Sequence, residues 1–291
     1  MTAAFDQRLI KEQHNRLRVL GTRQCVDMHC HCLPAFDDGP RDLSESLDLC
    51  MALVRQGITT AVASPHQLGR FDGCNGTKQI RQGVETLNDA LVGQGIPLTV
   101  LPGAEIRVDE RLLDMVLEDR VMTLADAHKY LLLELPYEAF FDLGPLLHGL
   151  REMGLTTVLA HPERNAVLAA NPSWVLNWAE YSPVLQVTAS SLIGRFGPVC
   201  ERAAWAFLDM ALWCVVATDA HDNALRAPVF ADAYQAVVSK RGLACAREVC
   251  LDNPRALVSG REAREVLGIR ADVARWTRER RMWVIGKQAD G

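Results

Sequence analysis

Short apolar runs rich in β-branched residues alternate with longer amphipathic segments along most of the chain. The run CVDMH precedes RDLSESLDLCMALVRQG, whose apolar residues recur at helical spacing, namely Leu43, Leu47, Cys50, Met51 and Val54. Ser44 is the expected N-cap of this helix, and Gly57 is expected to end it. The pattern therefore predicts a strand followed by an amphipathic helix.

The same alternation continues along the chain, with the further apolar runs TTAVAS, LTVLPG, YLLLEL, TTVLAH, VLQVTAS and CVVATDA. Helical segments follow these runs, so the sequence predicts six or seven β–α units. Apolar, β-branched strands of this kind are typical of parallel strands that are buried on both faces. Periodicity alone fits either an open doubly wound sheet or a closed barrel.

Residues of the metal-ligating types cluster at the ends of the predicted strands. Five of the eight histidines end apolar runs, namely His29, His31, His66, His161 and His221. Carboxylates accompany them at Asp37, Asp38, Glu105 and Asp219. A closed (β/α) barrel brings the C-terminal ends of all its strands together, whereas an open sheet does not. Because these positions are spread over the whole chain, they favour an α/β fold with a closed barrel.

The spacing of these residues indicates a multinuclear metal site. His29 and His31 lie two residues apart at a strand end, so both rings point to the same side of the strand. Two imidazoles are costly to bury without partners, and Asp219 and His221 repeat the same spacing. Nitrogen and oxygen ligands without thiolate favour manganese, iron or zinc. The ligands exceed the needs of one ion, so two or three divalent ions are expected.

Two arginines lie close to these motifs in the sequence. Arg164 follows His161 by three residues, and Arg226 follows His221 by five. A guanidinium group matches the geometry of a phosphate group with paired donors. A single arginine is more commonly part of a surface salt bridge, but two beside metal-ligand motifs favour phosphate binding. Clustered cations also suit displacement at phosphorus.

Composition excludes several classes of function. The 291 residues carry a net charge of -5 and no basic block interleaved with aromatic residues, so nucleic acid is not an expected partner. The apolar stretches are too short to span a membrane. Nine cysteines without regular spacing fit reduced thiols, and the charged N-terminus has no continuous signal-peptide core. We therefore expect a cytoplasmic protein without membrane insertion.

The chain is expected to consist of three segments. Residues 1–23 form an expected N-terminal helical arm, residues 24–268 the barrel that carries the site, and residues 269–291 a basic C-terminal tail. The exposed faces of the predicted helices are also compatible with a homo-oligomer.

Several longer motifs resemble a known family. In order and spacing, the segments DMHCHCLPAFDDGP, ASPH, GAEIRV, LLLELP, AHPERN, LQVTASSLIGRFG and TDAHDNALR resemble the PHP-superfamily phosphatases of bacterial capsule and exopolysaccharide operons. The resemblance runs from about Val26 to about Gly268. It implies a distorted TIM-like (β/α)7 barrel, the PHP fold, and the activity of a manganese-dependent protein-tyrosine phosphatase.

The resemblance also implies roles for the candidate residues. It assigns one ion to His29, His31, Glu105 and Asp219, a second to Glu105 and His161, and a third to Asp38, His66 and His221. Arg164 and Arg226 match the positions expected to bind phosphate, and loss of His66 or Asp219 is expected to abolish turnover. A hydroxide bridging the ions would attack phosphorus. The implied substrate is the phosphotyrosine-rich tail of a membrane-associated tyrosine kinase that controls polysaccharide synthesis.

Other functions remain open at this point. A small-molecule phosphatase of the same superfamily, acting for example on histidinol phosphate, would use the same ligands. A non-catalytic module would keep the barrel, but it is expected to have lost ligands, and every expected ligand type is present. A metal-dependent amidohydrolase would typically carry a lysine at a strand end, which none of these runs supplies. A cysteine-dependent tyrosine phosphatase is excluded, because none of the nine cysteines has an arginine six residues downstream.

Overall fold

A computed structural model describes residues 25–210 and 213–261 of the chain. The predicted arm at 1–23 and the predicted basic tail at 269–291 lie outside the described residues. The same holds for residue 24 and for the last residues of the predicted barrel segment, 262–268.

The strands of the described chain are short and almost entirely buried, as their apolar, β-branched sequences predict. They are β1 (Cys25–Cys30), β2 (Ile58–Ala63), β3 (His66–Gln67), β4 (Thr99–Pro102), β5 (Glu105–Arg107), β6 (Tyr130–Glu134), β7 (Thr156–Ala160), β8 (Val184–Thr188) and β9 (Trp213–Ala217). Every pairing between these strands is parallel. The predicted mixed α/β fold with parallel strands is therefore confirmed.

Helices follow most of the strands. They are α1 (Leu43–Arg55), α2 (Thr77–Gly93), α3 (Leu112–Leu117), α4 (Gly144–Glu152), α5 (Ala166–Ala170), α6 (Ala189–Leu192), α7 (Gly197–Leu208), α8 (Phe230–Arg247) and α9 (Asn253–Val258). Short 3-10 segments cover Leu124–Asp126, Pro162–Arg164 and Pro172–Tyr181, and a π-helical turn covers Glu248–Asp252. Among the described residues, every helix falls short of the length and apolarity that crossing a membrane requires.

The strands form two sheets rather than one continuous barrel. The first has the order β1-β2-β4, and the second has the order β3-β5-β6-β7-β8-β9. At one edge the sheets meet after β9, where Asp219 N donates to His29 O and His31 N donates to Ala220 O, both at 2.8 Å. At the other edge the chain itself passes from β2 into β3 and from β4 into β5. The seven resulting strand positions follow one another in a ring, with regular pairing interrupted at two places.

The interruption at the second edge coincides with two residues, Pro65 and Gly103. Pro65 lies between β2 and β3, and proline lacks the N–H that a strand ladder needs. Gly103 lies between β4 and β5, where a Cβ would approach Val62 Cγ1 at 2.5 Å, so only glycine fits. The apolar runs TTAVAS and LTVLPG do not reveal that pairing resumes beyond these two residues.

Helix packing agrees with the amphipathic pattern in α2 but only in part in α1, where the fully buried residues are Ser46, Leu49, Cys50 and Leu53 and the predicted Leu43 is 40% exposed. The apolar residues predicted on one face of α2 are all buried, namely Ile80, Val84, Leu87 and Leu91. The expected N-cap of α1, Ser44, was wrong. Asp42 is the N-cap, and its side chain accepts a hydrogen bond from Glu45 N. Gly57, with φ of 88°, follows this helix as predicted.

The ring encloses apolar side chains of its own. Met28, Leu132 and Val158 belong to an inner cluster between the strands. Leu131 and Leu133, the neighbours of Leu132 in β6, belong instead to the larger core that the helices cover. Because successive side chains of a strand point to opposite faces, both faces of the sheets are buried. The ring is therefore a packed support, and polar side chains gather at one end of it.

Candidate metal centre

The polar side chains gather at the C-terminal ends of the strands. His29 is the penultimate residue of β1, and Glu134 is the last residue of β6. His161 directly follows β7, while Asp219 and His221 follow β9. These residues come from distant parts of the chain, and the parallel arrangement of the strands brings them to the same end of the ring.

Four buried residues form what we call the inner group: His29, His31, Glu105 and Asp219. Their ligand atoms all lie within 4.8 Å of one another, and each residue is no more than 2% exposed. His29 Nε2 lies 3.4 Å from Glu105 Oε2 and also 3.4 Å from Asp219 Oδ1. His31 Nε2 lies 3.5 Å from the same two oxygens. Four donor atoms therefore converge on one point, as the ligands of a single ion do.

A second set, the outer group, consists of His31, Asp38, His66 and His221. Asp38 Oδ1 lies 3.3 Å from His66 Nε2 and 3.4 Å from His221 Nε2. The side chain of Asp38 is 37% exposed and that of His66 is 16% exposed, so this group faces the solvent. His31 belongs to both groups, which places the two candidate ion positions side by side.

Glu105 extends the centre beyond these two groups. Its Oε1 lies 2.7 Å from His161 Nε2, and its Oε2 lies 3.1 Å from His66 Nδ1. His66, Glu105 and Glu134 form a third set with ligand atoms within 4.8 Å of one another. The resemblance implied that Glu105 and His161 hold the same ion, and the structure places His161 Nε2 beside Glu105 Oε1. Glu134 was not predicted, although a carboxylate as the penultimate residue of the apolar run YLLLEL was the available signal.

The atoms that face these groups fit a bound cation. Among the described residues, Glu105 Oε2, Asp219 Oδ1 and His221 Nε2 are buried without a hydrogen-bond partner. A buried polar atom without a partner lowers the stability of the folded state. All three atoms belong to the inner or outer group, and each presents a lone pair to it. A divalent ion at each position would satisfy them, so the residues present fit a multinuclear metal centre.

The ionisation of these groups also indicates a demand for positive charge. Burial would raise the pKa of Glu105, but His29 and His161 outweigh it and hold that pKa well below its usual range. Burial lowers the pKa of His66, but the carboxylates of Asp38 and Glu105 outweigh it and raise the pKa to about 9. Protonated His66 thus partly neutralises carboxylates that a metal ion would otherwise neutralise, whereas burial lowers the pKa of His161 and of His221 to about 4.

Two neighbouring side chains orient His29, in β1, and His31, just after it. His29 Nδ1 donates to Gln186 Oε1 at 2.7 Å, so His29 Nε2 is free to face the inner group. His31 Nδ1 lies 2.7 Å from Asp37 Oδ2 and is oriented in the same way. Asp37 also accepts from Gly39 N at 2.9 Å. Gln186 was not predicted, and Asp37 was noted only as one of the carboxylates near the first strand.

The backbone turns sharply at two of the candidate ligands. His161 has φ of 28° and Asp219 has φ of 51°, both in the left-handed region that non-glycine residues rarely adopt. Strain of this kind persists where the surrounding structure enforces it, and it concentrates at functional sites. At Asp219 the hydrogen bond from its N–H to His29 O holds the turn.

The two predicted phosphate-binding arginines both contact Asp219. Arg164 Nη1 donates to Asp219 Oδ2, and Arg226 Nη2 donates to the same oxygen at 2.7 Å. Arg164 Nη2 donates in addition to the hydroxyl oxygen of Tyr137 at 2.6 Å. Asp219 thus divides its two oxygens, with Oδ1 facing the inner group and Oδ2 facing the arginines. Arg226 Nε is a buried donor without a partner among the described residues.

The fold and the site define a class: a parallel α/β protein with a candidate metal centre of histidines and carboxylates at the C-terminal ends of its strands. A family model described as "Capsular polysaccharide synthesis, CpsB/CapC" matches residues 25–259. The chain belongs to this CpsB/CapC family.

Named relatives agree with this assignment. The chain is 36% identical over 198 residues to the tyrosine-protein phosphatase YwqE of Bacillus subtilis, which covers 68% of this chain and 77% of that protein. It is 28% identical over 245 residues to the tyrosine-protein phosphatase CpsB of Streptococcus pneumoniae. That alignment covers 80% of this chain and 98% of CpsB. A solved structure comes from work on these two proteins, which are described there as metal-dependent tyrosine phosphatases. It matches this chain with a TM-score of 0.77 and 32% identity, over 81% of this chain and 95% of the solved chain.

Proposed function

We propose that this chain is a metal-dependent protein-tyrosine phosphatase that hydrolyses phosphotyrosine in a protein partner. The partner that best fits the family is a membrane-associated tyrosine kinase of capsule or exopolysaccharide synthesis. The observation that carries the proposal is the set of contacts made by Asp219. This one buried carboxylate joins the inner group to two arginines. A site that places two guanidinium groups beside clustered cations suits an ester of phosphoric acid.

The candidate ligands divide among three ion positions. The inner group and the outer group would each hold one ion, and Glu105 with His161 or Glu134 would hold another. Manganese is the expected metal, because nitrogen and oxygen ligands are mixed and cysteine is absent from these groups, and iron or zinc would also suit them. When bound, such ions polarise phosphate oxygens and lower the pKa of water.

The protein's own side chains bind and orient the phosphate. Arg164 and Arg226 stand beside the inner group, so their N–H groups reach a phosphate placed there. Arg226 Nε has no partner among the described residues and is available for a phosphate oxygen. Paired guanidinium donors fix the orientation of the phosphate as well as its affinity. Because Asp219 holds both arginines, the position of the phosphate is tied to the position of the ion.

The decisive experiment compares substrates and metals on one preparation. Metal-stripped protein is titrated with Mn²⁺, Zn²⁺ and Mg²⁺, and the hydrolysis of p-nitrophenyl phosphate, a phosphotyrosine peptide and histidinol phosphate is measured. We expect Mn²⁺ to restore cleavage of the peptide. Preference for histidinol phosphate would replace this proposal with a small-molecule phosphatase, and bound metal without any hydrolysis would indicate a binding module.

A variant tests the role of the arginines separately. Arg226→Ala is expected to keep its metal content but to weaken inhibition by inorganic phosphate by about 10-fold or more, as the loss of a charge-assisted bond predicts. Arg41→Ala, which removes an exposed guanidinium paired with Glu45, is the matched control. Equal phosphate inhibition of both variants and the wild type would contradict phosphate binding by Arg226.

A further inference from the structure

A buried carboxylate that is not one of the candidate ligands lies at the edge where β1 meets the segment after β9. It belongs to Asp27, in β1, which is fully buried. Its Oδ1 accepts from Thr218 N at 2.9 Å, and its Oδ2 accepts from the hydroxyl of Thr218. Oδ1 also accepts from His29 N at 3.4 Å. Three donors therefore satisfy a carboxylate whose burial would otherwise destabilise the fold.

Thr218 directly precedes the candidate ligand Asp219, and three consecutive N–H groups are bound in this segment. The first, Thr218 N, donates to Asp27. Asp219 N donates to His29 O at 2.8 Å, and Ala220 N donates to Thr218 Oγ1 at 3.1 Å. Two of these three bonds depend on Asp27, one directly and one because the carboxylate holds the hydroxyl of Thr218. The Asp27 carboxylate therefore helps to fix the turn in which Asp219 adopts φ of 51°.

Backbone pairing is sparse at this edge, so the side-chain bonds matter more there. β1 and β9 are edge strands of different sheets. In the described chain, the bridge between Cys30 and Ala220 is an isolated one, whereas β8 and β9 pair at five consecutive positions. The bonds between Asp27 and Thr218 thus connect the two sheets where a regular ladder does not.

The candidate ligands of both groups lie on the two sides of this edge. His29 and His31 come from β1 and the residue after it, whereas Asp219 and His221 follow β9. The inner group spans the edge, because His29 Nε2 lies 3.4 Å from Asp219 Oδ1. A binding site must hold its ligands to within about 0.5 Å of the required geometry. A shift of one side relative to the other would therefore weaken the inner group.

We propose that Asp27 is a positioning residue that, through Thr218, holds Asp219 at the distance from His29 that the inner ion requires. This inference rests on the proposed metal-dependent function and adds a residue that lies behind the ligands. Hydrogen bonds behind metal ligands typically change metal affinity by about 10- to 100-fold. Because Asp219 Oδ2 also holds both arginines, phosphate binding is expected to depend on Asp27 as well.

The test compares three variants at the two positions. Thr218→Val keeps the shape of the side chain but loses the hydroxyl, Thr218→Ser keeps the hydroxyl, and Asp27→Ala removes the carboxylate. Affinity for Mn²⁺ is measured by titration of metal-stripped protein, below the melting temperature of each variant. The dissociation constant of inorganic phosphate is then measured on the metal-saturated proteins.

The expected results separate the hydroxyl from the rest of the side chain. We expect Thr218→Val and Asp27→Ala to bind the tightest ion about 10-fold more weakly and to bind phosphate about 3-fold more weakly. Thr218→Ser is expected to stay within about 2-fold of the wild type in both measurements, because it retains both bonds to Asp27.

Asn253→Ala is the control for a loss of stability alone. Asn253 is buried, and its Nδ2 donates to Cys214 O at 2.9 Å. Cys214 lies near the start of the same strand, β9, at the end opposite the candidate metal centre. We expect this variant to melt at a lower temperature than the wild type but to bind Mn²⁺ and phosphate equally well.

The possible failures are distinguishable. Wild-type affinity for Mn²⁺ in Thr218→Val, or an equal loss of affinity in Thr218→Ser or in Asn253→Ala, would overturn the role of Asp27 and leave the phosphatase proposal intact. Thr218→Val decides the question even if Asp27→Ala does not fold, because it only replaces a hydroxyl with a methyl group. If the wild type binds neither Mn²⁺ nor phosphate, the proposed function fails and this inference fails with it.

Discussion

The inner and outer groups use the same ligand chemistry but differ in charge and in access to water. The inner group has two carboxylates and is buried, whereas the outer group has one carboxylate and includes the exposed Asp38. Buried carboxylates need a cation more than solvated ones do, because water no longer stabilises their charge. Two neighbouring ion positions that share His31 can therefore differ in metal affinity, and we expect the inner ion to bind more tightly.

The side chains that orient the two groups differ in the same systematic way. A neutral amide, that of Gln186, supports the inner group through His29 and also accepts from His161 N at 3.3 Å. A carboxylate, that of Asp37, supports the outer group through His31 and accepts from His66 N at 3.0 Å. The group with fewer carboxylate ligands thus receives a charged support. Orientation by such partners typically changes metal affinity by about 10- to 100-fold.

Substitution of Asp219 is expected to have the largest effect on this comparison. Asp219→Ala removes an inner ligand and the shared partner of Arg164 and Arg226. We expect kcat/KM for p-nitrophenyl phosphate to fall by at least about 10²- to 10³-fold, since a ligand and the orientation of both arginines are lost together. Metal content, measured by elemental analysis, is expected to fall by the inner ion. Asp209→Ala, an exposed carboxylate paired with Arg241, is the control, and unchanged metal content in Asp219→Ala would contradict the ligand assignment.

Substitution of Asp37 should weaken the outer group more than the inner group, because Asp37 supports the shared His31 and also accepts from the backbone of the outer residue His66. In Asp37→Asn an amide NH2 group replaces one of the oxygens that now accept from His31, Gly39 N and His66 N. The new NH2 group then faces an N–H donor, and His31 loses the carboxylate that orients it. We expect the weakest-binding ion of a Mn²⁺ titration to lose about 10- to 100-fold in affinity. A uniform loss at all ion positions would show that Asp37 does not distinguish the two groups.

Substitution of Gln186 is the corresponding change on the inner side. Gln186→Leu leaves His29 Nδ1 without its acceptor, so the ring no longer has a fixed tautomer. We expect the tightest-binding ion to lose about 10-fold in affinity, near the lower limit for such partners, because a neutral support contributes less than a charged one. Gln186→Glu restores an acceptor and adds charge, so it should retain the affinity. If Gln186→Glu binds metal as weakly as Gln186→Leu, the amide has another role.

The sequence predicts the ligands of both groups better than it predicts their supports. His29 and His31 were recognisable because two imidazoles end one apolar strand, and Glu105 because it follows a run that ends in Gly103. Gln186 lies within a strand, at 157 positions from the histidine that it orients, so only the order of the strands brings the two together.

The fold shows the same division between local and distant information. Apolar runs predicted the parallel strands, because burial on both faces demands apolar residues at consecutive positions. They did not predict two separate sheets, because the break at Gly103 depends on the close approach of Val62 from a neighbouring strand. The cap of α1 fell at Asp42 rather than Ser44, because either residue type accepts from a helix N-terminus and only the entry of the chain decides between them.

Thermal stability should show the smallest difference between the groups. Saturating Mn²⁺ at about 100 times its Kd is expected to raise the Tm of the wild type by about 5–10 °C, since binding to the folded state alone contributes about 2.7 kcal/mol. Asp38→Asn removes the exposed outer ligand, and we expect it to reduce this gain by only about 2–4 °C, because water already solvates that carboxylate. Asp48→Asn, an exposed carboxylate on α1, is the control. Loss of the whole metal-induced gain in Asp38→Asn would mean that the outer ion, rather than the buried inner one, stabilises the fold.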